Sequence, residues 1–201
     1  MNLVTLTSPN SAVAEAYRTL RTNIQFAITD TGMKTLVVAA PDAGGSAAEA
    51  AANLAVVFAQ SGRRAILVDG DLRDSQVHAL FGMSNESGFV QALATDASAL
   101  LQDGPVAGLR ILTAGRGPVI ASDVLSSPNV TDVLRELSAA ADVVLITAPP
   151  AASYADASLL AAVADAVVLV VTRDRTRIAS LGAARQALER ARATLLGVFM
   201  A

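Results

Sequence analysis

Short runs of aliphatic and β-branched residues recur along this 201-residue chain, separated by stretches with helical spacing, and that alternation is the tightest constraint on its fold. The strand-like runs are Thr35 to Ala40, Ala65 to Asp69, Leu109 to Thr113, Val143 to Thr147, Ala166 to Thr172 and Leu195 to Met200. Helical spacing marks Ala47 to Gln60, Asn129 to Ala140 and Ile178 to Ala193. Strands separated by helices call for right-handed crossovers, hence a mostly parallel central sheet with helices on both faces. Ligands of such a sheet bind beyond the carboxyl ends of its strands. Aromatic residues make up only 3% of the chain, so the core must be built from Val, Leu, Ile and Ala, as buried parallel strands and Ala-rich helices require.

A single α/β domain over residues 1–201 is expected, with an N-terminal helical segment in residues 1–30 and the core in 31–201. Ser8-Pro9 offers a cap and a first-turn proline, and Val13, Tyr17, Leu20, Ile24 and Ala27 then mark a helix to about Ile28. Residues 71–108 read as loops and short helices, with turn signals at Gly82, Asn85, Gly88 and Asp103-Gly104-Pro105. No internal repeat is visible.

The chain has no cysteine and one histidine, His78, which excludes a disulfide framework and a Cys/His metal centre; no metal site is expected. A net charge of -3 gives no electrostatic drive toward nucleic acid or anionic lipid. No signal-peptide pattern opens the chain, and no apolar run approaches the ~20 residues of a membrane helix, so a soluble protein is expected.

The stretch Pro41-Asp42-Ala43-Gly44-Gly45-Ser46-Ala47-Ala48-Glu49 lies between the first strand and its helix, where a glycine-rich loop would cradle phosphates. A working loop ends Gly-Lys-Ser/Thr, the lysine reaching the outer phosphates and the hydroxyl holding Mg²⁺. Those places hold Ser46, Ala47 and Ala48, and Glu49 adds a carboxylate where a triphosphate needs positive charge. Ser46 and Glu49 instead have the spacing of a capping box, which would close the helix end with its own side chains. An ordinary Gly-rich turn is the other reading of these residues.

Further motifs narrow the choice. Glu15, Arg18 and Arg21 have the E-x-x-R-x-x-R spacing, although Glu15 and Arg18 could equally form a simple intrahelical ion pair. Ile66-Leu67-Val68-Asp69-Gly70-Asp71-Leu72-Arg73 ends a strand in V-D-x-D-x-R, and two solvated loop carboxylates are the alternative reading. His78 and Phe81 follow at H-x-x-F spacing, with packing the favoured role for the histidine. Leu112-Thr113-Ala114-Gly115 and Ala121 to Ser127 come next. Asp142-Val143-Val144-Leu145-Ile146-Thr147-Ala148-Pro149-Pro150 then reads as D-x-V-I-I-D-T-P-P with Thr147 in the place of an aspartate. The chain ends Gly197-Val198-Phe199-Met200-Ala201, similar to G-V-V-L-N.

Together these motifs, from about Ser8 to Ala201, resemble the cytoplasmic domain of bacterial tyrosine kinases (BY-kinases), regulators of capsular and exopolysaccharide synthesis within the MinD/ParA-like P-loop ATPases. The resemblance implies a P-loop NTPase-like fold and an oligomer interface at Glu15, Arg18 and Arg21. It makes Asp69, Asp71 and Arg73 remnants of the catalytic acidic motif. Gly44, Gly45, Ser46, Ala47, Ala48, Glu49 and Thr147 become a degenerate nucleotide site, Thr147 standing where the Walker B aspartate belongs. Ala201 replaces an asparagine that contacts the base. No tyrosine-rich tail of the kind active relatives phosphorylate is expected: Tyr17 and Tyr154 are the two tyrosines of this sequence, and both are read as packing residues. Arg173, Arg175 and Arg177 are read as a solvated charged loop.

The expectation is a catalytically inactive, cytoplasmic pseudoenzyme without a cofactor. It would be held at the inner membrane by a polysaccharide co-polymerase partner, as a homo-oligomer or mixed with an active BY-kinase, and would not bind nucleic acid. A divergent ATP- and Mg-dependent kinase or ATPase is the first alternative, and a MinD/ParA-like positioning protein the second.

Overall fold

The computed structural model describes residues 3–43 and 47–201. In chain order its elements begin with α1 (Val4–Thr7), α2 (Ala12–Thr31), β1 (Thr35–Ala39), α3 (Ala47–Gln60), β2 (Ala65–Val68), α4 (Val77–Phe81) and α5 (Phe89–Ala92). A 3₁₀ turn (Ser98–Leu100) leads into β3 (Gln102–Asp103) and β4 (Leu109–Leu112). Then come α6 (Ala121–Leu125), α7 (Asn129–Ala140), β5 (Val143–Ala148), α8 (Asp156–Val163), β6 (Ala166–Val171), α9 (Ile178–Arg190) and β7 (Leu195–Met200).

The strands form one sheet in the order β3-β4-β2-β5-β1-β6-β7. Every pairing is parallel except the two-residue β3 against β4. Alternate residues of β1 face opposite layers: Val37 and Ala39 pack with α7, α8 and α9, while Leu36 and Val38 pack with α2 and α3. β2, β5 and β6 repeat this division, so each inner strand is apolar on both sides, as a doubly covered parallel sheet demands. A Leu→Ala change at a site such as Leu145, fully buried between layers, is expected to cost about 3 kcal/mol.

Two expectations are corrected. The N-terminal helix is capped by Ser11, whose hydroxyl accepts from Ala14 N at 3.1 Å, because Ser8 and Pro9 form a turn closing the short α1. The helix then runs on to Thr31 and stops at Gly32, whose φ of 75° suits a residue without a Cβ. The sequence reading also passed over α8, an eight-residue Ala-rich helix that returns the chain from β5 toward β6. Its apolar residues are not confined to one helical stripe, so periodicity does not separate it from a loop. The strands and helices expected beyond residue 31 match to within three residues, while α1, α6 and the two-residue β3 had no counterpart in the sequence reading.

α1 is anchored to α3 by Asn53, whose Oδ1 accepts from Thr5 N at 3.0 Å and Thr5 Oγ1 at 2.9 Å. α2 lies across α3 and reaches β7, where the rings of Tyr17 and Phe199 stand 5.1 Å apart. None of the described helices is long and apolar enough to cross a membrane.

Candidate functional site

The carboxyl ends of β1, β2 and β5 converge on a cavity of about 290 Å³. Ala47 and Ala48 of the first turn of α3, Asp71, Arg73, Thr147 and Tyr154 line it. The structure thus brings together the acidic motif after β2, the Thr147 segment of β5 and the start of α3. Gly44, Gly45 and Ser46, and with them the expected capping box, lie outside the described residues.

Asp69 follows directly on β2 and is fully buried. Its carboxylate accepts a 2.8 Å hydrogen bond from Thr147 Oγ1 and a 3.0 Å bond from Val77 N. Burial pushes its pKa up to about 6, against the pull of those two bonds. Gly70 N donates to the same Thr147 hydroxyl at 3.2 Å. β2 and β5 approach so closely here that a Cβ on Gly70 would meet Thr147 O at 2.5 Å, so the middle residue of Asp69-Gly70-Asp71 must be glycine.

Asp71 faces the cavity. One of its oxygens accepts from Arg73 N at 3.1 Å and Asp74 N at 3.0 Å. Burial raises its pKa, the two backbone bonds oppose the shift, and the charges of Asp74 and Asp156 add to it. Arg73 turns away from Asp71 toward Asp156 and forms a bidentate pair, Nε to Oδ2 at 2.7 Å and Nη2 to Oδ1 at 3.0 Å. Asp156 is fully buried at the start of α8, and the Arg73 guanidinium also lies 4.5 Å over the centre of the Tyr154 ring. The cation of this motif is therefore already engaged by a carboxylate of its own chain.

Asp156 was not foreseen as a site residue. An Asp at the first helical position after Pro149-Pro150 is a weak signal, because the same residue serves any helix N-terminus. Only the crossing of α8 over the end of β2 makes it Arg73's partner. Lys34, the chain's one lysine, sits at the opposite end of the sheet, where its Nζ donates to Ser138 O at 2.9 Å.

On α2, Arg18 pairs with Glu15 at 2.9 Å and also donates to Pro9 O, so the ion pair read from the sequence is present. Arg21 donates to Thr22 Oγ1, while its buried Nε has no partner among the described residues. Tyr17 is buried, its hydroxyl pushed up to about 12 by burial and then by the charge of Glu49. His78 Nδ1 is buried without a partner among the described residues, in keeping with a packing role. Arg173, Arg175 and Arg177 are exposed on the loop after β6.

No family model matches the chain. It is 37% identical over 201 residues to tyrosine-protein kinase YwqD of Bacillus subtilis (strain 168), across 99% of this chain and 85% of that one. It is 28% identical over 197 residues to tyrosine-protein kinase etk of Escherichia coli (strain K12), across 96% of this chain but only 27% of that longer protein. The solved kinase domain of Escherichia coli tyrosine kinase ETK superposes with a TM-score of 0.94 at 25% identity, across 100% of this chain and 79% of that one. The fold, the strand-end acidic motif and the similarity to YwqD along nearly its whole length agree: the chain belongs to the bacterial tyrosine kinase family.

Proposed function

We propose that this chain is a non-catalytic member of the family, acting in capsule or exopolysaccharide synthesis through oligomerisation and partner binding. In this reading the α/β core is a scaffold and the helix within residues 1–30 joins subunits through Glu15, Arg18 and Arg21. The partners are copies of itself, an active BY-kinase in the same ring, and a membrane-embedded polysaccharide co-polymerase that holds the chain at the inner membrane from the cytoplasmic side.

One observation carries the proposal: the bond between Thr147 and Asp69. Where two carboxylates would flank a magnesium ion, a neutral hydroxyl donates its proton to the remaining carboxylate. The other donors follow the same direction. Ala47 and Ala48 offer methyl groups where the ammonium and the metal-binding hydroxyl belong, and Arg73 is held by Asp156. No cluster of three or more acidic, His or Cys side chains suited to a metal occurs among the described residues. These residues do not fit a magnesium-bound triphosphate, and phosphoryl transfer rests on such positioning and charge neutralisation.

Calorimetric titration with Mg-ATP tests the proposal. No saturable heat is expected, and a Kd tighter than about 100 μM, roughly -5.5 kcal/mol, would overturn it. A second reading, a divergent ATP-dependent kinase, draws on Asp71, which faces the cavity with one carboxylate oxygen outside its backbone bonds. ATP turnover that disappears in Asp71→Ala would favour that reading.

A further inference from the structure

Tyr154 stands on the turn between β5 and α8, where its backbone N–H donates to Pro150 O at 3.2 Å. The two tyrosines of the chain are in opposite environments. Tyr17 is 4% exposed between α2 and β7, whereas Tyr154 is 44% exposed at the mouth of the candidate cavity. Tyr154 forms a ridge with a hollow on each side, and each hollow contains an arginine. On one side is the cavity with Arg73, and on the other a shallow depression against α9, lined also by Ser153, Ser158 and Arg190. An exposed phenol on a turn, flanked by guanidinium groups, has both the access a modifying enzyme needs and the charge to hold a phosphate afterwards.

We propose that Tyr154 is a phosphoacceptor for a catalytically active protein-tyrosine kinase, and that Arg73 reads the phosphate by exchanging Asp156 for it. The assignment rests on the non-catalytic reading above, in which the phosphate comes from another subunit. In the reaction Tyr154 Oη forms a bond to the γ-phosphorus of ATP and the bond from that phosphorus to the β,γ-bridging oxygen breaks. ADP leaves, and the phenolic proton passes to a base of the active kinase.

The product carries about -1.5 to -2 charge and three acceptor oxygens beside a guanidinium whose carbon is already 4.5 Å from the ring centre. Two anions then compete for one fork. The phosphate brings the larger charge, while Asp156 keeps the N-terminal dipole of α8 as partial compensation. The expected result is a loosened start of α8 and a rearranged cavity mouth, which makes the turn a switch operated by the active subunit.

Purified YwqD with Mg-ATP and the full chain tests the acceptor role, with phosphorylation of a poly(Glu,Tyr) polymer in the same tube reporting that the kinase is active. Peptide mass spectrometry is expected to find phosphate on Tyr154 at more than tenfold its level on Tyr17, and Tyr154→Phe to abolish the label. No phosphate on Tyr154 while the polymer is labelled overturns the acceptor assignment and leaves the non-catalytic reading standing. Phosphate on Tyr154 without added kinase overturns the non-catalytic reading instead.

The reader role has its own measurement. With phosphotyrosine installed at position 154, the second phosphate pKa followed by ³¹P NMR is expected to lie below that of free phosphotyrosine. It should return toward the free value in Arg73→Gln, and less so in Arg73→Lys, which keeps the charge. A phosphate pKa equal to the free value in the unsubstituted chain, or one shifted by Arg190→Gln and not by Arg73→Gln, removes Arg73 from that role.

Discussion

The two ends of this sheet treat their aspartates in opposite ways. At the amino end, burial alone would push Asp165 up. The backbone N–H groups of Lys34 and Thr35 and the Thr35 hydroxyl, each donating at 2.8 Å, hold its pKa below the ordinary value instead. Asp142 at the same end is held low by hydrogen bonds from the side chain and backbone of Arg64. At the carboxyl end Asp69 and Asp71 are both pushed up, because burial there exceeds what their hydrogen bonds return. The amino end is furnished for stability. At the carboxyl end Asp71 faces a cavity whose lining cation among the described residues, Arg73, is already paired with Asp156.

Removing the cation that lines the carboxyl-end cavity attacks this contrast most directly. Arg73→Ala leaves the buried Asp156 without its ion-pair partner and is expected to lower the urea unfolding midpoint more than any other change considered. An unchanged midpoint would mean that α8's own backbone satisfies Asp156.

The next largest effect is a pH dependence with a defined sign. Asp69 has a folded pKa of about 6 against 3.8 for the unconstrained group, so the folded state binds the extra proton. The stabilising contribution is complete below pH 4 and lost as the pH rises through 6, by about 3 kcal/mol in all. Asp69→Asn should flatten that slope relative to the unsubstituted protein. Equal slopes in the two proteins would remove the buried-charge account.

Thr147→Val keeps the shape and deletes the donor to Asp69, at an expected cost of about 1–3 kcal/mol at pH 7 and clearly less at pH 4.5, where Asp69 carries its own proton. Asp165→Asn, at the other end, should show a small effect of opposite sign. The unsubstituted protein loses this contribution as the pH falls through the carboxylate range, and matching signs at Asp165 and Asp69 would break the comparison.

The smallest change in stability is expected at Arg18→Ala, a few tenths of a kcal/mol from the exposed pair with Glu15. Light scattering should nevertheless show a smaller assembly. An unchanged mass would remove the interface role proposed for Glu15, Arg18 and Arg21.

Much of this was legible before any coordinates. β-Branched runs with helical stretches between them announce the parallel sheet, because a strand buried on both faces has no polar positions to disguise it. Asp69, Asp71 and Thr147 could be placed at strand ends for the same reason. The short α1, α6 and β3 escaped, and so did α8, too short and too evenly apolar for its period to show, and with it the partnership of Arg73 with Asp156, 83 positions away in the chain. The N-terminal cap was misjudged by three residues, since Ser8-Pro9 and Ser11 are both competent caps and only the docking of α1 on Asn53 selects the second.

Residue order alone specifies the layers, the end of the sheet at which chemistry belongs, and the side chains standing at each familiar position, because these follow from local period and from the topology that period enforces. Which carboxylate is buried, which hydroxyl is committed to it and where the arginine that lines the cavity is spent depend on strands and helices brought together from distant parts of the chain. Desolvation and hydrogen bonding act over a few ångströms in space, and no spacing along a sequence encodes them.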